Sequence, residues 1–293
     1  MTVRIARHEV RGEQSERSLE LLEATVAELV AGMPDSEDDR AEALDYALGS
    51  AKRRCLLDPD GGTNPTWHAG VLPVQIGAAL FESATAESGP VRCRVGTNGE
   101  VLELPATGPQ EYLDPVLWLN TFSLAVVCRE EQRIPQLLGV PVEFLRASGA
   151  EIDEYVYRWI EALQLAWERR PERWDALVAA IEGTAPERIR VASKEVMLKL
   201  LHPPLELFQL YLRRETAEFN KSLATALTWH REYWTGNEAR ALRSEGLVAL
   251  APLAMACLAF DAGMPIEVEP PYLPIYLPIY LLKGAWVGEF PTR

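Results

Sequence analysis

The sequence predicts a mainly α fold, a compact multi-helix single domain over residues 1–293, with one β-hairpin near residues 91–104. First, apolar residues recur at three- and four-residue steps along most of the 293 residues, which is the period of an amphipathic helix. Second, capping residues followed by acids or proline precede several of these stripes. Third, one segment changes to a period of two. Stacked helical pairs are one arrangement that this pattern allows.

Three helices are predicted in the first third of the chain. The first has an apolar stripe and ends near Pro34. Ser36 is expected to cap the second helix, since acids follow it in the first turn, where the helix dipole favours negative charge. That helix should end at the turn of residues 58–62. Asn64 and Pro65, a cap followed by proline, are expected to start the third helix.

The segment VRCRVGTNGEVLEL, residues 91–104, predicts the hairpin. Asn98-Gly99 lies between two β-prone runs and is the strongest short hairpin signal. A two-residue turn there would place Arg94 opposite Glu103, a favourable cross-strand pair. The residues then expected on the apolar face are Cys93, Val95, Leu102 and Leu104.

Helices are expected to resume at Asp114-Pro115 with one that is apolar nearly all round and therefore central. Further helices are predicted at residues 151–169, 172–181, 186–201, 204–214 and 216–234. The apolar run 247–260 is interrupted by Pro252. It is shorter than the roughly 18–20 residues that cross a bilayer, so no membrane anchor is expected. The tail repeats YLPI, and Pro274 and Pro278 predict an extended or tightly turned path there.

The net charge of −14, from 29 basic and 43 acidic residues, argues against a nucleic-acid partner, which would need clusters of Lys and Arg. The charge suits a basic protein partner, although it also favours solubility alone. The N-terminal residues lack the apolar core of a signal peptide. Buried thiols in a reducing compartment, the cytoplasm, are the simplest interpretation of four scattered cysteines. These are Cys55, Cys93, Cys128 and Cys257.

No catalytic, cofactor or metal motif is present in the sequence: phosphate loops, a serine-hydrolase elbow and H-E-x-x-H are all missing. Asp58 opens a calcium-loop-like stretch, but Thr63 and Ala69 occupy positions that need glycine and glutamate. A helix-ending turn explains it better. His230 falls on an apolar helical stripe and is expected to be a core histidine. An enzyme with a dispersed carboxylate site remains a less favoured alternative.

The helix predicted at residues 151–169 offers a candidate partner-binding surface. Its apolar stripe belongs to the core, and an aromatic residue lies with acids on the opposite face. That composition is expected of an interface anchor surrounded by charge that steers a basic partner. The candidate residues are Asp153, Tyr157, Glu161, Gln164 and Glu168. The alternatives are that another helix covers Tyr157, and that the acids mark only the start of a helix.

Several stretches resemble the immunity protein 49 (Imm49) family of bacterial polymorphic toxin systems. They include RASGAEIDEYVYRWIEALQ, LPATGPQEYLDPVLWLNTFSLAVVCR, LVALAPLAMACLAFDAGMPIEVE and GEFPT. The resemblance extends over essentially the whole chain, except that the doubled YLPI departs from the single YLP step of the family. These stretches indicate kinship and carry no chemical motif, so the resemblance assigns no catalytic or contact residue.

The resemblance implies a protein that binds a cognate toxin and blocks it in the producing cell. If the toxin is a nuclease with a basic cleft, an acidic inhibitor would be steered towards that cleft. A helical-repeat adaptor that binds other proteins is the alternative. The oligomeric state is open at this level.

Overall fold

The computed structural model describes residues 3–4, 16–96, 100–269 and 272, and it confirms a mainly α fold with one β-hairpin. The helices of the first half are α1 (Glu16–Gly32), α2 (Glu37–Leu57), α3 (Asn64–Thr85), α4 (Pro115–Val127), α5 (Arg133–Leu138) and α6 (Val142–Arg146). Those of the second half are α7 (Glu154–Trp167), α8 (Arg173–Gly183), α9 (Lys194–Val196), α10 (His202–Arg213), α11 (Thr216–Trp234), α12 (Glu238–Ala241) and α13 (Leu250–Asp261). The strands are β1 (Val3–Arg4), β2 (Val91–Val95), β3 (Glu100–Leu104) and β4 (Val268–Glu269).

The three most extensive helix–helix contacts join helices that are consecutive in the chain: α7 with α8, α1 with α2, and α2 with α3. The apolar α13 packs on α4 and α10. One cluster of buried side chains runs from Val26 to Tyr272. In α4, the Trp118 and Phe122 rings stack at 5.2 Å, and the Trp118 indole donates a hydrogen bond of 2.8 Å to the Leu137 carbonyl. The prediction that α4 is central is therefore confirmed.

Two predicted caps are confirmed and one is displaced. The Ser36 hydroxyl accepts a hydrogen bond from the Asp39 N–H at 3.1 Å, and the Asp114 carboxylate accepts one from the Leu117 N–H at 2.7 Å. The third helix begins one residue before its expected start, because Thr63 takes the capping position. Such one-residue differences are ordinary at helix ends.

The turn between α2 and α3 is organised by Asp58. Its carboxylate accepts hydrogen bonds from the N–H groups of Gly62 and Thr63, at 3.0 and 2.8 Å, and from the hydroxyls of Thr63 and Thr66, at 2.8 and 2.6 Å. Burial raises the pKa of this carboxyl, but these donors together lower the pKa by more. Asp58 therefore joins two helix ends, in agreement with the predicted helix-ending turn.

The hairpin is present, but its predicted register is wrong by two residues. Arg92, not Arg94, lies opposite Glu103, and the strand ends leave residues 96–99 between them. The expected two-residue turn at Asn98-Gly99 lies outside the described residues. A shift of two residues preserves the faces of a strand. Cys93, Val95 and Leu104 are accordingly buried, and Leu102 packs against the core.

The end of β2 contacts α3. Gly96 follows β2 with a φ of 94°, and its N–H donates a hydrogen bond of 2.8 Å to the Gln75 side chain of α3. Such a φ is readily adopted only by glycine. This N–H donates to a helix, and the antiparallel ladder ends one residue earlier, at Val95.

The helix predicted at residues 186–201 is corrected. Residues 186–193 are irregular, and helical structure begins at Lys194 with α9, followed by a π-helical turn, Met197–Leu201. The His202 N–H bonds to the Met197 carbonyl, five residues back. Pro203 and Pro204 follow and donate no N–H, so the α-helical ladder cannot continue unbroken through this point.

The apolar run near the end of the sequence becomes a core helix. By length and composition alone, the 18 residues Ser244–Asp261 could cross a membrane, but 61% of them are buried inside the protein. Only α13 within them is α-helical, over 12 residues. His230 is buried, as predicted, with Nε2 at 3.0 Å from the Gly246 carbonyl. Tyr272 is the one described residue of the repeated YLPI, and Pro274 and Pro278 lie outside the described residues.

Candidate partner-binding surfaces

The first half of the predicted surface on α7 is buried. Asp153 is only 7% exposed. Its carboxylate accepts three consecutive backbone N–H groups, from Arg190 at 2.6 Å, Val191 at 3.0 Å and Ala192 at 2.9 Å. Burial raises the pKa of Asp153, but the three N–H donors lower the pKa by more, below the ordinary aspartate range. This carboxylate links the irregular segment before α9 to the start of α7. The prediction that Asp153 lies on an exposed face is therefore wrong.

Tyr157 is covered, as the alternative interpretation expected. It is 5% exposed, and the Arg146 guanidinium of α6 lies 4.0 Å from its ring centroid. Arg146 also donates two hydrogen bonds to Glu154, at 2.8 and 2.6 Å. Arg146 is therefore fixed between the ring and the carboxylate. Tyr157 contributes a cation–π contact within the fold, not an exposed anchor.

The other three candidate residues differ in exposure. The Gln164 side chain is half-buried and donates a hydrogen bond of 2.8 Å to the Val140 carbonyl. Glu161 is half-exposed and accepts a 2.9 Å hydrogen bond from Arg158, whereas Glu168 is exposed at the end of α7. The structure thus leaves two separated carboxylates in place of a continuous face. That Glu161 and Glu168 bind a partner remains a prediction.

A second acidic surface, which we call the acidic hairpin, consists of α1, the turn after it, and α2 as far as Ser50. Residues 16–50 contain ten carboxylates and two arginines, a net charge of −8 out of −14 for the chain. One of the two arginines, Arg40, is buried and donates a 2.7 Å hydrogen bond to the Met33 carbonyl. A local count of charge would have found this surface from the sequence.

Apolar side chains are exposed on the acidic hairpin. Leu21 of α1 is 65% exposed and Tyr46 of α2 is 39% exposed. Glu42 and Asp45, within a helical turn of Tyr46, are exposed as well. An exposed tyrosine among carboxylates is the arrangement that the sequence predicted for α7. In the structure it occurs on α2.

The cavities of the described residues differ in character. An open groove of about 450 Å³ follows α11 beside β4, and an internal apolar cavity of about 30 Å³ lies between α2, α3, α4 and α13. Lys52 reaches the internal cavity, and burial lowers the pKa of its amine. Within the described ranges, no group of three His, Cys, Asp or Glu side chains is arranged to hold a metal ion.

The cysteines are buried thiols, as predicted, and all four lie in the described part of the chain. Burial raises the pKa of Cys93 to about 11 and that of Cys257 to about 11. Burial also raises the pKa of Cys128 well above its ordinary value. Thiols in this state react slowly as nucleophiles.

The chain has a mainly α fold with exposed carboxylates on the acidic hairpin and at the end of α7. The family described as Immunity protein 49 (Imm49) matches residues 58–277. Because this match covers more than half of the chain, the protein belongs to the Imm49 family. No curated protein and no solved structure matches the chain. The whole acidic hairpin precedes the matched residues.

Proposed function

We propose that this protein is an immunity protein that binds a cognate toxin and neutralises it. The observation that carries the proposal is membership in the immunity protein 49 family. Shallow acidic surfaces support binding over chemistry, because an inhibitor needs shape and charge on its exterior and no reacting groups. The encounter would take place in the cytoplasm of the producing cell and would involve no cofactor, nucleic acid or membrane.

The charge of the molecule suggests the chemistry of the toxin. With a net charge of −14, the protein would be attracted to a basic surface, and the phosphate-binding cleft of a nuclease is such a surface. Association would then be faster at low ionic strength and slower as salt screens the attraction. A toxin with an acidic surface, or an association rate that salt does not change, would contradict this part of the proposal.

Co-expression tests the function directly. The toxin gene adjacent to the gene of this protein is expressed alone and together with it, and cell growth and a pull-down from the same cells are recorded. We expect growth to be restored and the two proteins to be recovered as a complex. A toxin inactivated by mutation serves as the control, since it should still bind while growth is normal throughout. Absence of both rescue and complex would reject the proposal.

A further inference from the structure

A shallow depression of about 520 Å³ lies where the acidic hairpin meets the β-hairpin. Its apolar surface is formed by three proline rings and one alanine side chain. Two glutamate carboxylates also line it. The lining residues are Pro34, Glu87, Ser88, Gly89, Pro90, Glu103, Pro105 and Ala106. We call this the acidic depression.

The two carboxylates of the acidic depression are available to a partner. Glu87 is exposed and has no ion-pair partner within the described residues. In the described part of the chain, Glu103 has one ion-pair partner, Arg92 at 3.8 Å, and both side chains are largely exposed. An exposed pair at that distance is worth little, because water competes for both charges. Neither carboxylate is committed to holding the fold together, in contrast to Asp153.

The depression lies beside a strongly acidic segment of the chain. Pro34, one of its walls, belongs to the turn of the acidic hairpin, and the exposed Asp35 follows directly. The net charge of −8 on residues 16–50 therefore adjoins a concave surface with apolar walls. Concave surfaces lined by charge of one sign focus the field and raise the local concentration of opposite charge.

We propose that the acidic depression is the docking site for an arginine or lysine side chain on the basic surface of the toxin. The proline rings and Ala106 would pack on the aliphatic part of that side chain, and Glu87 and Glu103 would accept hydrogen bonds from its charged end. This inference rests on the proposed function for the identity of the partner. The chemistry of the site can be tested separately.

A basic peptide tests the chemistry without the toxin. The full chain, labelled with ¹⁵N, is titrated with a blocked octa-arginine peptide at about 0.15 M salt, where long-range attraction is largely screened. We expect the largest shifts in the amide resonances of residues 87–89, 103, 104 and 106. Shifts that are largest elsewhere, or spread over all acidic surfaces, would overturn the proposal. Because no toxin is used, this result is separate from the fate of the proposed function.

Charge reversal in matched pairs compares the two candidate surfaces. The double variant Glu87→Lys/Glu103→Lys and the control Glu161→Lys/Glu168→Lys change the net charge by the same amount. For the peptide, and for the toxin where the complex forms, we expect at least about tenfold weaker binding for the first variant. We expect less than about twofold for the control. The reverse order would overturn the proposal and support the original prediction on α7.

A steric variant separates shape from charge. Ser88→Tyr fills the depression from an exposed position without changing any charge. We expect it to weaken binding as well, while the circular dichroism melting curve stays that of the wild type. Unchanged binding would show that only the field of the acids matters and would overturn the docking site. A complex that forms normally with all these variants would refute the depression and leave the immunity function intact.

Discussion

Two acidic regions of the molecule use the same chemical group in opposite ways. At the start of α7, the Asp153 carboxylate is buried and accepts three backbone N–H groups. At the acidic depression, Glu87 and Glu103 are exposed, and the ion pair there, between Glu103 and Arg92, is exposed to solvent as well. A carboxylate whose hydrogen-bonding capacity is already used stabilises the fold, whereas one left with only water and weak ion pairs can be used by a partner. The number of acidic residues in a region does not separate these two roles. The number of hydrogen-bond donors that each carboxylate accepts from does.

Removing Asp153 should have the largest effect on stability. Asp153→Ala leaves three N–H groups without their acceptor, and we expect the free energy of unfolding to fall by about 3 kcal/mol. Urea denaturation measures the change. The neighbouring Glu151→Ala, at an exposed position, is the matched control and should stay within about 0.5 kcal/mol. Equal losses of stability in the two variants would show that the hydrogen-bonded Asp153 is no more important to the fold than an exposed carboxylate.

The same site predicts a pH dependence. Because the folded-state pKa of Asp153 is depressed, its carboxylate stabilises the fold above the unfolded-state pKa of about 3.9. That contribution is lost as the pH falls through the folded-state pKa. Asp153→Asn should therefore lose less stability than the wild type between neutral and acidic pH. Parallel stability curves for the two proteins would contradict the assignment.

Removing Asp58 should cause the second largest loss of stability. Asp58→Ala removes the acceptor of two N–H groups and two hydroxyls between α2 and α3. Since the site is partly open to water, we expect a loss of about 2 kcal/mol in the free energy of unfolding. Asp60→Ala, in the same turn and exposed, provides the comparison and should change little. A loss for Asp58→Ala no greater than that for Asp60→Ala would show that the turn forms without this carboxylate.

Arg146 should have a smaller effect. Arg146→Ala removes its contact with the Tyr157 ring and its hydrogen bonds to Glu154. Glu154 is largely exposed, so screening limits the gain from the ion pair, and we expect a loss of about 1 kcal/mol. Arg158→Ala, which lacks a ring contact, is the control. Near-ultraviolet circular dichroism should change in the first variant only, since Tyr157 would lose its cover.

The smallest effect is expected at the exposed end of α7. Glu161→Gln/Glu168→Gln should change the free energy of unfolding by no more than about 0.5 kcal/mol, because neither carboxylate accepts a buried hydrogen bond. Thermal denaturation at low and high salt measures this. A loss above about 1 kcal/mol would place these residues with Asp153 as structural carboxylates.

The helices were largely predictable because their signals are local. The limits of α11 agree with the predicted range, and the Ser36 and Asp114 caps are formed as expected. A cap needs a side chain and an N–H three residues apart, and an apolar stripe needs only periodicity. Both the cap and the stripe depend on residues that are close together in the sequence. The apolar face of the hairpin was predicted for the same reason.

What sequence reasoning missed depends on contacts between distant segments. Gln75 of α3 accepts a hydrogen bond from the residue that follows β2, and the cover of Tyr157 comes from Arg146 of the unpredicted helix α6. The periodicity of α7 identifies which face the core takes but not what lies over the opposite face. Asp153 is bonded to residues almost forty positions along the chain, and no local pattern indicates such a contact.

The place of α13 in the chain affects how the protein is made. Its packing partners α4 and α10 are both translated before it. The part of their apolar surface that α13 covers cannot be buried by it until Asp261 has left the ribosome. Such intermediates are prone to aggregate. A nascent chain stalled before α13 should accordingly recruit chaperones. A chain stalled after α13 has left the ribosome should recruit fewer, because α13 can then pack on α4 and α10.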